Sequence, residues 1–153
     1  MAYTLRSFRK DDAKGVRDLI ISVFIREYPL DRKAYADTDL DRVGEVYGGE
    51  RECFFVIEEK GKIVGTAGVK SESAEEALLR RLFVDAGHRN MGYGSQLLKT
   101  ALKFCRDNGY KKVFFRCTDR MTNAMRLCKK EGFAEKEYLQ VSGVPIHKLE
   151  LEL

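Results

Sequence analysis

Hydrophobic positions along the chain switch repeatedly between a spacing of two and a spacing of three or four. Residues 2–8 (AYTLRSF) alternate, as a half-buried strand does. Val16, Leu19, Ile20, Val23 and Phe24 then recur at three- and four-residue intervals. They predict one apolar face of a helix, which Asp11 or Asp12 is placed to cap and Tyr28-Pro29 to end. Residues 31–47 are polar and acid-rich, with only a weak helical pattern. Residues 53–58 (CFFVIE) predict a strand, Lys60-Gly61-Lys62 a hairpin turn, and residues 62–70 (KIVGTAGVK) the returning strand. Residues 76–84 (EALLRRLFV) are rich in helix formers, but their shortness and the glycine-containing stop at 85–87 make them a strand.

The firmest helix runs from Gly92 to Asn108, with Leu97, Leu98, Ala101, Leu102, Phe104 and Cys105 on one face and Gly109 placed to end it. Residues 112–117 (KVFFRC) predict a strand. Thr118 or Asp119 is placed to cap a second short helix bearing Met121, Ala124, Met125 and Cys128, which Gly132 closes. Residues 133–141 and 146–153 predict two more strands, joined through Ser142-Gly143-Val144-Pro145. The order β-α-(α)-β-β-β-α-β-α-β-β predicts a mixed sheet with helices on its faces. All connections are short and no linker interrupts them, so residues 1–153 read as a single domain.

Composition narrows the class. At 153 residues with 44% hydrophobic positions, nine Phe and seven Tyr, the chain can bury a core of its own. No apolar run approaches the ~20 residues of a membrane span, and the first residues carry no apolar signal segment, so a cytoplasmic protein without membrane contact is expected. Cys53, Cys105, Cys117 and Cys128 form no CxxC pair and lie apart from His88 and His147, so no metal site is expected and the thiols are read as free.

Charge is unevenly distributed. Residues 85–130 hold eleven Lys or Arg against three acids, which points to a polyanionic partner or to solvated helix faces. No helix-turn-helix, zinc finger or basic stripe interleaved with aromatics is present, so nucleic acid is not the expected partner. Residues 31–52 carry seven acids against four bases, which would steer a cationic amine toward the molecule unless they form an ordinary solvated face.

The segment VDAGHRNMGYGSQLL (84–98) carries the chemistry. A strand ends at Val84, a loop follows with Arg89-Asn90-Met91-Gly92-Tyr93-Gly94, and a long helix begins. Glycines let backbone N–H groups face a ligand without a Cβ clash, and the helix N-terminus adds about half a positive charge. Together they suit a pyrophosphate. A glycine-rich turn entering a helix is the plain structural alternative. The segment is neither a P-loop nor a dinucleotide fingerprint, because GxxxxGK[ST] is absent and Leu97 stands at the third glycine of GxGxxG.

Arg-x-x-Gly-x-Gly after LRRLFVD and before SQLL resembles the phosphate-binding motif of the GNAT superfamily of N-acetyltransferases. Residues 123–133 (NAMRLCKKEGF) are similar to its second motif, in which a Tyr usually stands where this chain has Cys128. The resemblance implies a central mixed, mainly antiparallel sheet of about seven strands flanked by about four helices, an α/β (mixed α+β) fold. It implies acetyl-CoA as co-substrate, with no metal, and a primary amine, on a small molecule or a protein, as acceptor. Leu82, Phe83 and Val84 would pair with the pantetheine arm as an added strand would. Arg89, Asn90, Met91, Gly92, Tyr93, Gly94 and Ser95 would hold the pyrophosphate, and Asn123 would bond the pantetheine arm. The N–H near Val84 would stabilise the thioester oxyanion.

Set against the family's pattern, the candidate catalytic groups are Cys128 and Glu76. Cys128 could reprotonate the departing thiolate, stand aside while water does so, or itself be acylated. Glu76 is the base candidate because the family's common Glu falls near Leu78, and period-two counting from Val84, with bulges set aside, puts Glu76 on the same face; Glu75, Asp119 and a plain water chain compete with it. Phe24, Glu27 and Tyr28 would contact the acceptor. Leu82 and Val84 as core, Tyr93 as a packed aromatic, Arg89 and Glu76 as surface charges and Cys128 as a packed helix residue are the bland alternatives. A non-catalytic acyl-CoA-binding or regulatory module remains the second function class. The last strands leave edges needing cover, which keeps a homodimer open.

Overall fold

A computed structural model of the chain describes residues 2–35 and 38–153. One seven-stranded sheet organises it, in the order β1-β2-β3-β4-β5-β7-β6. The strands are β1 (Thr4–Ser7), β2 (Cys53–Glu59), β3 (Lys62–Ser71), β4 (Glu76–Val84), β5 (Lys112–Thr118), β6 (Ala134–Val141) and β7 (Val144–Glu152). Only β4 and β5 run parallel, and every other neighbouring pair is antiparallel. The helices are α1 (Ala13–Glu27), α2 (Val43–Val46), α3 (Tyr93–Asp107) and α4 (Thr122–Lys130). The expected class and element order therefore hold. No helix among the described residues is long and apolar enough to cross a membrane.

Helices cover both faces of the sheet. On one face α3 lays Phe104 against Phe55, ring centroids 5.9 Å apart, and α4 packs against α3 and β5. On the other, α1 sets Phe24 against Phe83 at 5.4 Å. Most apolar positions picked out by spacing are buried: Val16, Leu19, Ile20, Val23 and Phe24 in α1, and Leu97, Leu98, Ala101, Leu102 and Cys105 in α3, with Phe104 half-buried.

Several local expectations change. Asp12 does not cap α1 with its side chain; Arg6 takes both its carboxylate oxygens, at 2.7 and 2.9 Å, and the Arg9 N–H bonds it at 2.7 Å. Neither Thr118 nor Asp119 caps α4: Met121 stands at its N-cap, Thr118 donates to Asp31 at 2.6 Å, and Asp119 pairs with His147. The acid-rich stretch forms 3-10 turns over Arg32–Ala34 and Thr38–Asp41 before α2. The last hairpin turns on Ser142-Gly143 alone, both at positive φ, so Val144 and Pro145 already belong to β7. That hairpin leaves β6 as the outer edge and β7 inside, between β5 and β6.

Candidate active site

The parallel pair β4–β5 is joined only from Glu76↔Lys112 to Leu79↔Phe115. Beyond that point β4 runs on to Val84 and β5 to Thr118 without pairing, so the sheet opens in its middle. A bulge in β4 accompanies the opening. Thr66 opposes Phe83 and Gly68 opposes Arg80, which leaves Arg81 and Leu82 facing the single residue Ala67. Arg81 takes φ 55°, in the left-handed region. It is held there by a buried fork onto Asp39, Nε–Oδ2 3.0 Å and Nη2–Oδ1 2.6 Å. Burial pushes the Asp39 carboxyl up, but the Arg81 hydrogen bonds and charge, with the Tyr47 hydroxyl, win and hold it below its ordinary value. The N–H of Asp85 bonds Val64 O at 2.8 Å, and the ladder alternates, so the N–H and C=O of Val84 point away from β3 toward the opening.

A cavity of about 300 Å³ lies along this free edge. Its walls include Leu82, Phe83, Val84, Arg89, Asn90, Gly92, Tyr93, Gly94, Ser95 and Asn123, and from α1 also Val23 and Tyr28. Gly92 caps α3 at φ 81°, with nothing within 4 Å of where a Cβ would stand. The first intrahelical bond runs from Gln96 N–H to Gly92 O, and no side chain caps the helix. The N–H groups of residues 93–95 are thus the orphan donors of α3, and they lie at the cavity. At Gly94 a Cβ would stand 2.9 Å from Leu127 of α4, so glycine there lets the two helices close on the cavity.

Some predicted residues reach the cavity but are already engaged. Arg89 grips both carboxylate oxygens of Glu27 and donates to Val84 O at 3.1 and 3.2 Å. It ties α1 to the end of β4, and its guanidinium is committed to protein groups; Glu27, expected at the acceptor, is consumed in the same pair. Tyr93 lends the cavity its backbone, while its hydroxyl turns inward to Glu59 and its pKa rises to about 12 under that hydrogen bond. Met91 is exposed and outside the cavity lining. Arg126 and His88 also line it, neither singled out from the sequence. Arg126 donates to Asn123 Oδ1 at 2.9 Å, an i,i+3 contact on α4 that helical spacing could have suggested.

Three more predicted residues lie outside the cavity lining. Cys128 has no exposed surface, and burial pushes its thiol pKa well up, so it neither lines the cavity nor ionises readily. Glu76 begins β4 at the closed, paired end, roughly 25 Å of strand from Val84. The register also puts it on the other face: Val84 and Leu79 oppose Gly65 and Val69 of β3, whereas Leu78 opposes Lys70. The bulge shifts the parity on which period-two counting relied. Phe24 is 1% exposed, buried among Tyr28, Tyr35 and Phe83, and supports the wall from behind.

A second cavity of about 350 Å³ fills the opening between the diverging strands and shares Leu82 and Phe83 with the first. The acidic stretch expected to favour a cationic partner lends it Ala34 and Tyr35, but none of its described acids. Asp31 is taken by Thr118 and Arg120, Asp39 by Arg81, Asp41 by Arg17, and Glu52 by Lys70 and the Ser71 N–H. Asp37 lies outside the described residues.

Comparison with known proteins fits this geometry. The sequence model of the acetyltransferase (GNAT) family matches residues 16–133. Human N-acetyltransferase 8 is 36% identical over 102 residues, 63% of this chain and 45% of that protein. The chain thus spans about half the length of the curated relatives it matches first. An acetyltransferase from Streptococcus agalactiae superposes with a TM-score of 0.85 at 17% identity, over 99% of this chain and 98% of that one. A Salmonella typhimurium protein solved with its cofactor acetyl-CoA gives 0.79 at 18% identity, over 100% of this chain and 95% of that one. With a family match across most of its length and the sheet parted beside a glycine turn, this chain belongs to the GNAT family of acetyltransferases.

Proposed function

We propose that the protein is an acetyl-CoA-dependent N-acetyltransferase whose acceptor is a primary amine that attacks directly. The observation carrying this is the meeting, on one cavity, of the N–H groups heading α3 and of a stretch of β4 that β5 leaves unpaired. The orphan N–H groups at the head of α3 suit a pyrophosphate, and the unpaired edge of β4 over residues 82–84 suits an amide-bearing arm laid down as an extra strand. Acetyl-CoA would supply a thioester acyl group and a thiolate leaving group. The N–H of Val84 is the donor for the carbonyl oxygen as negative charge develops on it. Asn123, its Oδ1 occupied by Arg126, keeps its amide donors for the arm.

Among the described residues, neither cavity is lined by Asp or Glu. The acceptor's proton therefore leaves through water, and the buried Cys128 takes no part in returning one to the thiolate. Calorimetric titration with acetyl-CoA and an assay of thiol release over a panel of amines test the proposal. Saturable binding with steady release, rising with pH toward the amine's own pKa, is expected. Binding without turnover for any amine would instead make the chain an acyl-CoA-binding module, and absence of binding would end the cofactor assignment.

A further inference from the structure

We infer that the acceptor amine carries an anionic group, a carboxylate in the simplest case, seated between Arg80 and Arg116. The inference deepens the acetyl-transfer reading and rests on it, but its own support comes from the second cavity. Arg80 and Arg116 are the first residues beyond the last pair joining β4 to β5, Leu79↔Phe115. Arg80 shares a face with Leu78, and Arg116 shares one with Phe114, the partner of Leu78. The two arginines therefore stand side by side where the strands begin to part, and both line the cavity. Lys148 extends the row, opposite Arg116 in β7, with its Nζ 4.4 Å from the centre of the Phe114 ring. Glu137 faces Lys148 from β6, one strand farther out.

Neighbouring cations on adjacent strands repel, and a fold keeps them together at a cost unless a counter-charge arrives. Among the described residues the one carboxylate close to Arg80 is Asp39, at 3.9 Å, but Asp39 already forks with Arg81 and accepts the Tyr47 hydroxyl at 2.8 Å. A single carboxylate thus faces two guanidinia. Arg116 is exposed and has no acid partner among the described residues. No acidic side chain among the described residues lines the cavity. Its other walls are largely apolar, with Tyr35, Phe83, Met121 and Ile146 among them.

That combination selects a compact amine with an anionic group and an apolar substituent, the pattern of a free apolar amino acid. It disfavours a purely cationic amine, for which the cavity offers no opposite charge. Two guanidinia beside the acceptor also favour its neutral form over the ammonium, which aids loss of a proton where no carboxylate is at hand.

The test compares L-phenylalanine, L-phenylalaninamide and phenethylamine as acceptors at saturating acetyl-CoA. The acid is expected to exceed the other two in kcat/KM by about tenfold or more, the size of a charge-assisted hydrogen bond. Arg116→Gln, a change at an exposed side chain, is expected to lower kcat/KM at least tenfold more for the acid than for the amide, roughly the loss of one such bond, and Arg116→Lys to recover part of it. Titration of N-acetyl-L-phenylalanine and its amide into the coenzyme A-loaded protein reads the same preference without turnover. Equal or better use of the amide or of phenethylamine, or equal losses for acid and amide in Arg116→Gln, overturns this inference and leaves the acetyl-transfer reading standing. Failure to bind acetyl-CoA would instead strike the parent reading. In that case the titration is run on the free protein, and indifference between acid and amide there overturns the anion site as well.

Discussion

Cys128 and Leu127 are neighbours in sequence but point about 100° apart around α4. Leu127 lines the cofactor cavity, while Cys128 enters the core with no exposed surface. Cys128→Ala should therefore leave kcat within about twofold, while the small void it creates lowers stability by about 1–3 kcal/mol. Thiol-release kinetics and thermal melting separate the two effects. A large loss of kcat with little change in melting would return the thiol to the chemistry. Matching the second motif to this chain located the helix, and Asn123 lines the cavity, but a letter-for-letter match carries no information about which way one side chain faces. The same limit applies to Arg89: its charge beside the glycines was legible, and its commitment to Glu27, 62 positions earlier, was not.

Among the elements, the turn into α3 was the most legible, because φ at Gly92 demands the residue the sequence supplies. Gly92→Val places a β-branched side chain at φ 81°, where it is strained, and screens the N–H groups behind it. The expected outcome is at least a tenfold weaker Kd for acetyl-CoA by calorimetry, with the sheet intact by circular dichroism. The bulge in β4 was not legible. Left-handed conformations favour Gly or Asn, and this one sits on Arg81, held by a partner 42 positions away. Missing one residue of register moved Glu76 and Leu78 to the wrong face, and with them the candidate base.

Across the whole molecule, the charged groups set a pH window. Asp12, held low by its hydrogen bonds with Arg6, and Asp39, held low by Arg81 against the push of burial, lend stability that is present above their unfolded values near 4 and lost as pH falls through the depressed folded values. His147 has the opposite sign. Burial pulls its pKa down, but Asp119 and Glu135 outweigh it and raise it, so its contribution is complete below about 6.5 and lost as pH rises through the raised folded value. Melting temperature against pH should thus peak on the mildly acidic side of neutrality. His147→Gln should flatten the alkaline shoulder and leave the acid limb unchanged. These pairings explain why the acidic stretch misled: its count of charges was plain, but the partners that neutralise it come from β4, α1 and the loop after β5.

A sheet that opens in its own middle exposes raw strand edge far from its margins. The edge of β4 over residues 82–84 that β5 leaves unpaired, with the Val84 N–H on it, invites any extended peptide, including a second copy of the chain. Arg80 and Arg116 stand where such a strand would have to begin zipping, and seating it would strip water from two guanidinia that share, among the described residues, only the already engaged Asp39 carboxylate beside Arg80. The charges at the fork therefore also guard it, keeping a gap in the middle of the sheet from becoming a seed for aggregation.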